Sequence, residues 1–396
     1  MRAGVALVGC VLLVAGCGVA QKPTTPTPSV SAPASADDTG IDAHESSEPV
    51  TRLVLVDPDT GATVVYDASE ESETPLGAFG PTRGVSGDGR FAYLRGDDAL
   101  TVVDAGSWTF DHGDHSHFYV EPAAVAGRVD GRAVDARGGR ELTTVQREDD
   151  TVQVLDGTSL ARQSISAADG FNELRDVAAA APIGDSVVAV SGNGAVIEVG
   201  PEVGLGVGAE TRELGRCPGV TGAVAMGREV VFGCADGAVR IVKKAGRVTA
   251  EPMPLPAGAP HPGPLVYRYG STTLAGTAAD TVWVLDARRG TWKSVDVADV
   301  VAANTVSGDS VLALTADGRL RAFDTADGRQ TAAVELFGGR LPEDQPAPVI
   351  EVDADRAYVN DIAGRAVYEI DYRDGIRVAR TFETSIPPGF MVEAGR

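Results

Sequence analysis

Aromatic residues make up only 5% of this 396-residue chain, and long apolar runs are scarcer still. The one sustained apolar stretch, Ala3–Leu13, is shorter than the roughly 20 residues that a membrane-spanning helix needs. Positive charge is also in short supply, with 34 Lys+Arg against 56 Asp+Glu and a net charge of −22. A phosphate-backbone binder needs a basic face, so nucleic acid is excluded as a partner. Lys243-Lys244 is a pair and not a patch. No Gly-x-Ser-x-Gly elbow is present, which removes the usual serine-hydrolase nucleophile. Three Trp are few for a stacking platform under a ring cofactor. Gly204-x-Gly206-x-Gly208 lacks the strand-turn-helix context of a nucleotide loop, and Asp57-x-Asp59 opens no complete calcium loop.

What is abundant is Gly (48), Pro (23), Val and Ala, a composition of many short strands and turns. Met1-Arg2 and the apolar run read as a signal peptide over residues 1–16. The run ends in Val14-Ala15-Gly16-Cys17, which resembles the bacterial lipobox. That resemblance implies cleavage before Cys17 and a lipid on its sulfur. The chain is then exported and anchored to the outer face of the cytoplasmic membrane through that lipid alone. Residues 17–49 are rich in Pro, Ser and Thr and cannot bury enough surface to order themselves, so they read as a tether. Its acidic end, with His44, Glu45 and Glu48, reads as solvated linker or a weak metal-collecting tail.

From residue 50 to 396 short Val-rich runs alternate with Asp/Gly turns. Leu53-Val54-Leu55-Val56-Asp57, Val282-Trp283-Val284-Leu285-Asp286 and Val367-Tyr368-Glu369-Ile370-Asp371 are examples. Turns near Asp97, Asp149, Asn193, Asp236, Asp280, Asp317 and Ala363 recur every 37 to 52 residues. A repeat of about 44 residues with four strands is the pattern of an all-β propeller. Eight blades are expected, with seven the alternative. Phe390-Met391-Val392-Glu393 is expected to complete the first unit and so close the ring by joining N- and C-terminal strands.

Of four cysteines, Cys10 and Cys17 fall in the leader, leaving Cys217 and Cys234. They flank a hairpin with its turn near Gly227-Arg228. In an exported chain with no Cys-x-x-Cys they are expected to form a disulfide between adjacent strands.

Three of only five histidines lie in Asp111-His112-Gly113-Asp114-His115-Ser116-His117-Phe118-Tyr119. In an extended strand His115 and His117 point to the same side. Gly113 lets the chain turn so that His112 can join them. Three imidazoles without thiolates suit an exchangeable zinc site. Asp111, Asp114 or Glu121 can act as outer partners of the rings. Asp361 is the expected further ligand; Asp114 and His261 are secondary candidates.

That nine-residue motif resembles the His-rich motif of the zinc metallochaperones of the Azt-type zinc transport system, the AztD type. Cys217-Pro218-Gly219, Val231–Gly237, Tyr358-Val359-Asn360-Asp361, Arg377-Val378-Ala379-Arg380 and Glu393-Ala394-Gly395-Arg396 are similar as well. The resemblance implies a propeller that hands zinc to the substrate-binding protein of a zinc ABC transporter. It departs at Thr221, where the family's Cys-Pro-x-x-His-Gly pattern has His, and in the His-rich tail, here reduced to His44. Weaker or altered metal binding is expected from both changes.

Three functions remain open to the sequence: a monomeric lipid-anchored zinc metallochaperone, a metal-free propeller scaffold for protein interaction, and a metal-dependent propeller enzyme. The first reading is non-enzymatic. It predicts that zinc affinity falls below about pH 6, because protonated imidazole cannot ligate. Chelator competition across pH checks this.

Overall fold

The computed structural model describes residues 43–111, 115–201 and 212–396. Cys17, His112, Asp114 and residues 17–42 of the expected tether lie outside the described residues. The first ten strands are β1 (His44–Ser46), β2 (Arg52–Val56), β3 (Ala62–Asp67), β4 (Ser72–Ala78) and β5 (Thr82–Gly87), then β6 (Phe91–Gly96), β7 (Ala99–Asp104), β8 (Ser107–Asp111), β9 (Ser116–Val120) and β10 (Ala124–Asp130). The first of these, β1, falls within the last residues of the range read as tether.

The architecture is an all-β propeller of antiparallel sheets. Among the described residues there are seven four-stranded and two three-stranded sheets. The sheet β2-β3-β4 takes its inner strand from the other end of the chain: Phe390–Ala394 pairs antiparallel with β2, setting Leu53 opposite Glu393 and Leu55 opposite Met391. The expected closure is therefore observed, over the residues expected.

Alternation of side chains builds the ring. In β2, Leu53 and Leu55 face Tyr358, Val367 and Phe382 of the last sheet. Val54 and Val56 face Ala92, Leu94 and Val103 of the sheet β10-β7-β6-β5. Each inner strand thus buries both faces, which is why it reads as a continuous apolar run rather than an alternating one. The outermost strands, such as β4, are largely exposed.

The innermost strands include Phe390–Ala394, β5, Ala133–Gly138, Val177–Ile183 and Ile350–Val352, and they meet one another around the axis. All run in the same sense, so their C-terminal ends gather at one mouth of the ring. The strand after each runs back, so its end lies at the other mouth.

Cys217 and Cys234 form the expected disulfide. Its placement differs from expectation. Cys217 does not sit in a strand of the hairpin but follows Arg212–Arg216, the outer strand of the preceding sheet. The bond therefore staples one sheet to the next, within a core that includes Phe232, Val190 and Ile241. The two cysteines are 17 residues apart. Reduction is expected to lower the unfolding free energy by about 3 kcal/mol, the loop-closure value for a loop of this size. Urea midpoints with and without reductant, and for Cys217→Ser, check it.

Candidate metal site

The His-bearing hairpin β8–β9 is inserted between the third and fourth strands of its sheet, between β7 and β10. Its register sets Trp108 opposite Tyr119 and Phe110 opposite His117. These four side chains share one face.

Two arginines clamp the hairpin's base. The Arg52 Nη1 group donates to the carbonyls of Ala105 (2.8 Å), Gly106 (3.0 Å) and Glu121 (2.9 Å). Arg90 pairs with Asp104 at 2.6 Å and Glu121 at 2.5 Å, and its guanidinium lies 3.6 Å from the centre of the Trp108 ring. Both carboxylates are buried, at 0% and 2% exposure, and buried charges persist only when paired. Gly106 is required at the corner. Its φ is +69°, and a Cβ there would meet the Glu121 carbonyl at 2.3 Å.

The hairpin leans over the mouth where the innermost strands end. The Thr109 amide donates to the Arg396 carbonyl (3.0 Å) and its hydroxyl to the Gly395 carbonyl (2.8 Å). The Arg140 guanidinium, from the neighbouring sheet's turn, covers the Phe110 ring at 3.9 Å.

On this hairpin His115 Nε2 and His117 Nε2 face each other at 3.0 Å, with the rings edge to face. Two nitrogens on one tetrahedral zinc, each at about 2.0–2.1 Å, stand about 3.3 Å apart. The pair therefore needs only a small opening to share one ion. His117 Nδ1 lies 2.6 Å from Glu45 Oε1 of β1. That strand pairs with β9, setting Glu45 opposite Tyr119 and therefore diagonal to His117 on the same face. Among the described residues no group of three or more His, Cys, Asp or Glu could by itself hold a metal ion. The expected ligand His112 and the secondary candidate Asp114 lie outside the described residues.

Beneath the hairpin lies a charged layer. Arg396 pairs with Glu351 at 2.6 Å and with Glu393. Burial pushes the Glu393 carboxyl up to about 7; Arg396 opposes this, while Asp353 and Glu351 reinforce it. Asp88 is raised by burial even though it accepts from the Tyr93 hydroxyl at 2.6 Å. The Tyr269 phenol is raised by burial and by Asp88, with Arg396 opposing and Asp111 adding a smaller push upward.

The other expected residues are elsewhere. Asp361 ends the strand Ala357–Asp361, the second of its sheet, and so lies at the opposite mouth. Its carboxylate accepts from the Gly364 amide (2.8 Å) and the Tyr368 hydroxyl (2.9 Å). His261 is exposed, lies in the connection before the innermost strand Val266–Tyr267, and is also at that far end. The ring therefore separates both from His115 and His117. Thr221 precedes the innermost strand Gly222–Ala225, again at the far end, so the departure from the family pattern takes no ligand from the hairpin. Glu45 is expected from the sequence only as part of a solvated linker or weak metal-collecting tail, not as a partner of His117. Its only signal was an acidic, His-containing end to a tether.

A β-propeller whose mouth carries an inserted, histidine-bearing hairpin is the class defined by this geometry. Its fold is of the AztD type. The chain is similar to AztD from Citrobacter koseri, with TM-score 0.72, 17% identity, and coverage of 87% of this chain and 98% of that one. The apo structure of the same protein matches equally, at TM-score 0.72 and 16% identity over 87% and 98%. A dihydro-heme d1 dehydrogenase, NirN, is a more distant neighbour, at TM-score 0.55 and 14% identity over 88% and 76%, so propellers of this kind also host enzymes. No protein-family model and no curated relative matches the sequence. Among the described residues no helix is long and apolar enough to cross a membrane.

Glu393 yields a pH prediction. Its carboxyl moves from an ordinary 4.5 to about 7, so the folded chain holds the proton more tightly than the unfolded one. The resulting stabilisation is full below about pH 4.5 and is lost as pH rises through 7. Glu393→Gln is expected to remove that part of the slope, so the variant loses less stability than the parent between pH 5 and pH 8. Urea midpoints of both proteins at the two pH values check it.

Proposed function

We propose that this chain is a lipid-anchored, extracytoplasmic zinc-binding protein that carries zinc as cargo to the substrate-binding protein of a zinc ABC transporter. The observation that carries this reading is the pair of Nε2 atoms of His115 and His117, 3.0 Å apart on a hairpin over the mouth of the ring. His112 is the third ligand on this reading, and Asp114 a fourth donor. Imidazole and carboxylate without thiolate favour a site that can give its ion up. The AztD-type fold and the Asp111–Tyr119 motif support the transporter partner. The chain acts as a non-enzymatic monomer, tethered through a lipid on Cys17 by residues 17–49, with the propeller over 50–396 counted as eight blades.

The test is a zinc titration of metal-free protein against a competing chelator. One zinc per chain with sub-micromolar affinity is expected, and His115→Ala is expected to remove most of that affinity. Transfer to a transporter's binding protein would then be followed directly. Binding no tighter than about 10 micromolar in the parent (about 7 kcal/mol at most), or full binding in His115→Ala, sinks the assignment. A protein-interaction role for the bare propeller would then take its place.

A further inference from the structure

The contact between Glu45 and His117 joins the end of the tether to the hairpin and has no evident structural need. Glu45 is more than half exposed, at 56%, whereas His117 is nearly buried, at 12%. A pair with one partner so exposed contributes little to stability. Its consequence is directional. A carboxylate only accepts, so His117 Nδ1 carries the hydrogen and donates it. His117 Nε2 is then left with its lone pair, and that atom faces His115 Nε2. The ring is further held by Tyr119, stacked 6.2 Å away, which itself stacks on Trp108 at 5.5 Å. Trp108 in turn lies under Arg90, whose partners anchor the hairpin's base. One continuous column therefore runs from the clamp to Glu45.

We propose that Glu45 is a positioning residue for metal capture: it fixes the His117 tautomer and aim, and it thereby couples zinc binding to the seating of β1 on β9. This rests on the zinc reading of the hairpin. A metal-ligating histidine commonly donates its other ring N–H to a carboxylate, which orients the ring and raises its basicity. Here that carboxylate comes not from the hairpin but from a three-residue strand at the end of the segment leading from Cys17. Coupling is reciprocal: whatever factor β1 adds to zinc affinity, zinc adds to the seating of β1. Loading would then tighten β1 against β9, and release of β1 would loosen the ion.

The test uses the full chain with zinc as the probe. Long-range proton–nitrogen spectra of the metal-free protein are expected to show the hydrogen of His117 on Nδ1, and Glu45→Ala is expected to give a mixture of tautomers. In chelator competition Glu45→Ala is expected to weaken zinc roughly 10- to 100-fold, the usual effect of losing an outer partner. Glu45→Gln, whose amide oxygen still accepts, should restore most of that loss. Zinc is expected to slow proteolysis at residues 43–49 in the parent and not in Glu45→Ala. Unchanged affinity and an unchanged Nδ1 signal in Glu45→Ala, in a protein whose parent binds zinc, overturn this proposal alone. A parent that binds no zinc overturns the zinc reading and the coupling together.

Discussion

The pairing of Phe390–Ala394 with β2 closes the ring, and the arrangement at the hairpin mouth depends on it. Closure removes the two free sheet edges that an open array would expose. It also delivers Gly395 and Arg396 to the axis, where their carbonyls receive Thr109 of the hairpin. Without the last strand the first sheet would lack its inner member, and the hairpin would lose the backbone on which it leans. The same strand brings Glu393 into the axial layer beside Glu351 and Arg396. Fold closure and site support are thus one set of contacts.

The hairpin is a graft on this frame. Its length and chemistry are unrelated to the ring's repeat, since it is inserted between the third and fourth strands of one sheet. Rigidity comes from its base, where Arg52 satisfies three carbonyls and Arg90 neutralises two buried carboxylates. Paired and hydrogen-bonded in this way, such charges are tolerable in the interior; singly they would not be. Above that base the described residues Asp111, His115 and Ser116 are exposed.

The two mouths of the ring carry different residues. One carries the hairpin, the axial charges and the tether's strand. The other carries Asp361, His261 and Thr221, each at a strand end that points away from the hairpin. A ligand set that draws on both mouths is incompatible with the geometry. The substitution at Thr221 and the histidines of the hairpin therefore belong to separate questions. Fold likeness at 17% identity speaks to the frame and not to either mouth.

Strand content, the repeat, the closing strand and the same-side placement of His115 and His117 were all legible in the sequence. They depend on period-two alternation and short spacings, which a single chain displays locally. The disulfide partners were legible from a count of two remaining cysteines, but their role as a staple between sheets was not. The partnership of Glu45 with His117, 72 residues apart, was decided by tertiary structure alone. So were the separation of Asp361 from the histidines and the gathering of Glu351, Glu393 and Arg396 at the axis. Local pattern says which side of a strand a residue takes; only closure of the ring says which strand ends share a mouth.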